Sequence, residues 1–130
     1  MTLNEYQKKA MSTCMESSKN VLYMLFNLQG EVGEFSSKIA KLIRKGKAWF
    51  NVGEEPTSET EKFIHHNDNL LLISAKEADD LKKEAGDVLW QLSGLCTVMG
   101  WTLEEVAEEN IAKLASRKER HVIDGNGDNR

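Results

Sequence analysis

The chain has 130 residues, 40% of them hydrophobic, and its 17 Lys and Arg against 21 Asp and Glu give a net charge of −4. That length predicts one domain with a real core, and the acidic balance argues against nucleic acid as a bulk partner, since tight phosphate binding needs a basic face. The sequence has no run of about 18 apolar residues and no basic-then-apolar leader, so no membrane partner is expected and the expected location is the cytoplasm.

Pro56 is the single proline, which leaves most of the chain open to unbroken helix. Thr2-Leu3-Asn4-Glu5 has the pattern of a capping box, a hydroxyl at the N-cap and a Glu three residues on. Leu3, Tyr6, Ala10 and Cys14 follow at helical spacing and predict a first helix to about residue 17. Ser17, Ser18 and Asn20 punctuate. A second helix then carries Val21, Leu22, Leu25, Leu28, Val32, Phe35, Ile39, Leu42 and Ile43 at helical period. Lys41, Arg44, Lys45 and Lys47 suit its negative C-terminal pole, and Gly46 is the predicted stop.

Residues 47 to 73 break the pattern, and a connection of that length is uncommon in a compact domain unless it is functional. Ser58 with Glu61 predicts a short helix through about His66. Trp49 and Phe50 have two readings, a base-stacking lid or an oligomer contact. His65 and His66 lack a Cys or His partner at metal spacing and read as loop. The run Leu70-Leu71-Leu72-Ile73 lies directly before a helix start and is not read as a strand.

Ser74-Ala75-Lys76-Glu77 is a second capping pattern. It opens a third helix with Ala78, Leu81, Ala85, Val88, Leu89, Leu92, Leu95, Cys96 and Met99, closed by Gly100. Thr102-Leu103-Glu104-Glu105 opens a fourth, with Leu103, Val106, Ala107, Ile111 and Leu114. Cys14 and Cys96 fall in apolar helical stretches and read as buried thiols. The expected fold is all-α, four main helices in a bundle-like architecture. A single domain is expected over 1–121, with 47–73 as its long connection and 122–130 as a polar, Gly-rich tail.

Two pieces resemble each other: Glu31-Val32-Gly33-Glu34-Phe35 and Glu84-Ala85-Gly86-Asp87-Val88. Each sets two carboxylates three residues apart, hence on one helix face. On facing helices the pairs gather four negative charges, a cluster that repels itself unless a cation neutralises it. Oxygen-only ligands suit Mg²⁺, with Mn²⁺ as substitute. Gly30, Gly33 and Gly86 cost helix propensity. Close helix packing explains them, with or without the metal-bridging role that such packing would serve. Asn110, Lys113 and Arg117 share a face at i, i+3, i+7 and read either as phosphate or metal partners or as a solvated basic face. Trp90 reads as core or as a base-pocket wall.

The order Glu-x-Gly-Glu, spacer, Glu-x-Gly-Asp, then Asn-x-x-Lys-x-x-x-Arg resembles the MazG-like nucleoside triphosphate pyrophosphohydrolases, a branch of the all-α NTP pyrophosphatase superfamily. The resemblance covers roughly residues 20–46 and 74–130, and the ending looks like that of small single-domain members, phage-encoded ones included. It implies hydrolysis of a ribo- or deoxyribonucleoside triphosphate between the α and β phosphates, giving a nucleoside monophosphate and pyrophosphate. It implies Glu31, Glu34, Glu84 and Asp87 as metal ligands, or Glu34 instead as the carboxylate that orients or deprotonates the attacking water. Lys113 and Arg117 are then catalytic phosphate ligands, and Asn110 and Lys38 further substrate contacts. It also implies a homodimer or homotetramer that completes the bundle. A phosphoribosyl-ATP pyrophosphatase is the related alternative, and a non-enzymatic helical adaptor the bland one. A di-iron bundle protein needs Glu-x-x-His on two helices, and the chain has none.

Overall fold

The computed structural model describes residues 1–52 and 69–124, and for 49–52 and 69–72 the backbone alone. The Ser58–Glu61 cap, His65, His66, the side chains of Trp49 and Phe50, and the tail from 125 onward lie outside the described residues. In chain order the elements are α1 (Leu3–Met11), a 3₁₀ turn (Glu16–Ser18), α2 (Val21–Arg44), β1 (Trp49–Val52), β2 (Asn69–Leu72), α3 (Ala75–Val98) and α4 (Leu103–Glu119). The architecture is all-α, with one two-stranded hairpin set into the long connection. Two compact units make up the chain, Met1–Val21 with Ser93–Arg130, and Leu22–Leu92. No helix of the described residues is long and apolar enough to cross a membrane.

In the first unit α1 packs against α4. Its start is the expected reciprocal cap, Thr2 N–H to Glu5 at 2.8 Å and Glu5 N–H to the Thr2 hydroxyl at 3.1 Å. It stops at Met11, short of the expected residue 17. The Ser12 and Thr13 hydroxyls donate to the carbonyls of Lys9 and Ala10 at 2.6 and 2.7 Å, satisfying groups that another turn of helix would otherwise pair. Buried Gln7 ties the unit together. Its Nε2 donates to Thr97 Oγ1 (2.9 Å) and to the Trp101 carbonyl (3.0 Å), and its Oε1 accepts from Leu103 N–H (2.8 Å). That last amide is an orphan donor at the start of α4, so one buried side chain serves α1, the end of α3 and the α4 N-terminus. Cys14 and Cys96 are free thiols, Cys96 buried.

The long helices α2 and α3 end alike. Gly46 and Gly100 sit at φ +63° and +76°, and the following amides return to Leu42 O and Cys96 O at 2.8 Å. These are Schellman closures, which the left-handed glycine makes possible.

In the second unit the core is Ala48, Ile73 and Leu81, with Phe35, Ile39 and Leu42 of α2 and Ala78 of α3 packed against it. Ala48 and Ile73 directly flank the base of the hairpin, whose antiparallel register runs from Trp49↔Leu72 to Val52↔Asn69. Both ends of the long connection are thus fastened into the α2–α3 core. The strand at 69–72 was not expected; its apolar run is a strand because β1 pairs with it, a partner distant in sequence.

Candidate active site

The same core places the carboxylates. Phe35, Ile39 and Leu42 set the face that α2 turns to α3, and Ala78 and Leu81 set the matching face of α3. Glu31 lies one turn before Phe35, and Glu84 one turn after Leu81, so both continue those faces beyond the apolar contact. Both are half-buried, whereas Glu34 and Asp87 are exposed. Carboxylate oxygens of Glu31, Glu84 and Asp87 all come within 4.8 Å of one another. Glu34 is outside that trio, although its charge reaches Glu31.

The electrostatics are those of an unfinished site. Burial first, then the charges of Glu34, Asp87 and Glu84, push the Glu31 carboxyl above its ordinary value. Two unit charges at such separations repel by about 1 kcal/mol in water-like surroundings and about 3 kcal/mol at an effective dielectric near 20. Asp87 is exposed, which puts its pairs toward the lower figure. Two contacts moderate the repulsion. Asn27 Nδ2 donates to Glu31 Oε1 at 3.4 Å, and the Lys38 ammonium forms an ion pair with Glu84 Oε1 across the two helices. The sequence offered no signal for Asn27 beyond its position one turn before Glu31.

The donor set fits a hard divalent cation. All ligand atoms are carboxylate oxygens, and a Mg²⁺ shell at about 2.0–2.1 Å puts opposite oxygens about 4 Å apart. The trio's oxygens, within 4.8 Å of one another, are a little wider than that, so they would have to draw together around one. Gly30, Gly33 and Gly86 do not do what was expected of them. A Cβ built on any of the three meets nothing within 4 Å, so no close approach among the described residues requires them.

Asn110, Lys113 and Arg117 are on α4, in the first unit. Asn110 and Lys113 are exposed, but Arg117 is only 5% exposed, which a plain solvated basic face does not explain. Glu108, on the same helix, is exposed as expected for a surface carboxylate. Trp90 is half-buried.

Comparison with known proteins gives these features a context. The profile of the MazG nucleotide pyrophosphohydrolase domain matches residues 19–122, a span that takes in residues of both units and all eight candidate site residues. The Gene 37 protein of Mycobacterium phage L5 is 32% identical over 115 residues, covering 88% of this chain and 81% of that protein. No solved structure matches the chain. With three carboxylates of α2 and α3 brought together and a family profile that spans most of its length, the chain belongs to the MazG nucleotide pyrophosphohydrolase family.

Proposed function

We propose that the protein hydrolyses ribo- or deoxyribonucleoside triphosphates at the α–β phosphate bond, releasing a nucleoside monophosphate and pyrophosphate, in a reaction that needs Mg²⁺ or Mn²⁺. The observation that carries this reading is the carboxylate trio gathered from two helices in a chain of this family. Glu31, Glu84 and Asp87 would hold the cation. When bound, it supplies charge neutralisation for the triphosphate and acidifies water.

The chain's own residues do the rest. Glu34 is exposed and outside the trio, which supports its role as the carboxylate that orients the attacking water and takes its proton. Lys113, which is exposed, and Arg117, which is 5% exposed in the single chain and must turn outward to reach substrate, bind phosphate oxygens as charge builds on the leaving group. Asn110 contacts the sugar–phosphate, and Lys38 offers a further cation from α2.

The working form is a homodimer or homotetramer. Leu22 and Phe26 are each 65% exposed on α2, and Leu25, Val32, Leu89 and Leu92 are exposed as well. A second copy laid on these faces gives Gly30, Gly33 and Gly86 the close neighbour that the single chain lacks. The test is incubation with each nucleoside triphosphate in Mg²⁺ and in chelator. Turnover that chelator abolishes is expected; no turnover of any of them contradicts the proposal.

A further inference from the structure

Lys38 stands on α2 one turn after Glu34 and two turns after Glu31, on the face that meets α3. Its ammonium crosses to Glu84 and makes a direct hydrogen-bonded ion pair with Oε1. The side chain of Glu84 is 12% exposed, whereas that of Lys38 is 41% exposed. The carboxylate is thus mostly buried, while the lysine reaches it from the solvent side on a long, flexible stem. Charges on every side explain why it is there. The hydrogen bond to Glu84, with the further charges of Asp80 and Glu34, raises the Lys38 ammonium above its ordinary value. Glu84 is also one of the three carboxylates whose oxygens come within 4.8 Å of one another. Lys38 therefore holds a carboxylate that a divalent cation would need.

We propose that Lys38 is a built-in counter-ion for this cluster: it occupies Glu84 while no metal is bound, competes with metal for that carboxylate, and turns to the triphosphate once metal takes its place. The inference rests on the metal-dependent reading above and adds to it. The ammonium on Oε1 withdraws charge from the Glu84 carboxylate and repels a cation brought to either of its oxygens, so metal and Lys38 oppose each other at this residue. The freed ammonium then sits one turn from Glu34, next to the place where the substrate's negative charge arrives. The same side chain thus weakens metal binding in the free protein and strengthens nucleotide binding in the loaded one.

The opposite signs make a sharp test. Mn²⁺ is titrated into the full chain without nucleotide, with free ion read by electron paramagnetic resonance. The proteins are wild type, Lys38→Met, Lys38→Gln, Lys38→Arg and Lys41→Met. Met keeps an unbranched apolar stem of similar length without the charge, and Gln is a second neutral replacement should Met disturb the fold. Lys41→Met removes a charge one turn farther along and reports any general field effect. Both neutral variants should bind Mn²⁺ about three- to fivefold more tightly than wild type, the range expected from losing a partly exposed ion pair. Lys38→Arg and Lys41→Met should stay within about twofold of wild type. In saturating Mn²⁺ the neutral variants should show a raised KM for nucleotide. Unchanged Mn²⁺ affinity with a raised KM makes Lys38 a phosphate ligand only and overturns the counter-ion role, leaving the metal reading intact. A wild-type protein that binds no Mn²⁺ overturns both.

Discussion

Glu31 is half-buried and has three carboxylates for neighbours, which is why its own carboxyl is displaced upward. An ionised Glu31 therefore works against folding in the metal-free protein, and the sign of a charge-removing substitution follows. In chelator, Glu31→Gln should melt at or above the wild-type temperature. In Mg²⁺ it should lose turnover by orders of magnitude, as should Glu84→Gln and Asp87→Asn. Glu34→Gln should lose about 10²–10⁴-fold, the usual contribution of a positioned general base. Lys113→Ala should raise KM, and Glu108→Gln should match wild type. Steady-state kinetics and thermal melts on the set check this. Turnover that survives all four carboxylate changes would make these residues structural. At this scale the sequence pattern pointed to Glu31, Glu84 and Asp87, which the fold brings together, but its spacing of three did not show that Glu34 stays outside the trio. The contacts from Lys38 to Glu84 and from Asn27 to Glu31 were not. The first depends on how α2 meets α3, and the second on a rotamer.

The helices were legible as elements because their ends are written in local chemistry. Ser74 and Glu77 begin α3 as a reciprocal cap, with Ser74 N–H and Oγ donating to Glu77 Oε2 at 3.1 and 2.8 Å and Glu77 N–H returning to Ser74 Oγ at 3.3 Å. Lys47, just before β1, adds an ion pair at 3.8 Å. The Ser74 hydroxyl chiefly holds the Glu77 carboxyl below its ordinary value. A lowered carboxylate pKa stabilises the fold above its unfolded value, near 4.5, and that contribution is lost as pH falls through the folded value. Ser74→Ala should cost about 1 kcal/mol at neutral pH. The deficit relative to wild type should shrink on acidification below about pH 4.5, because wild type then loses the same contact. Chemical denaturation of the two proteins across that range checks it; a deficit independent of pH would mean that the carboxylate has no part in the cap. The hairpin and the early end of α1 were not legible. Leu70 to Leu72 owe their strand conformation to a partner far away in sequence, and α1 ends through hydroxyls that a helical pattern tolerates equally well. Periodicity also failed to say which α2 residues the chain buries. Met24 is fully buried, while Leu22 and Leu25 on either side of it are exposed.

For the whole molecule, the proposed second copy would cover the exposed α2 and α3 faces and the glycines that have no near neighbour. Gly30→Ala separates the possibilities. On a free helix face it should stabilise the protein by about 1 kcal/mol. On a face covered by another chain it should weaken association, and sedimentation velocity at micromolar concentration should show the shift toward the 14.7 kDa monomer. A wild-type protein that already sediments as that monomer would contradict the assembly. The central claim, cleavage between the α and β phosphates, is tested most directly by phosphorus NMR of a nucleoside triphosphate incubated with wild-type protein and Mg²⁺. The account predicts resonances of pyrophosphate and nucleoside monophosphate growing together in equal amounts. Orthophosphate with nucleoside diphosphate would contradict it.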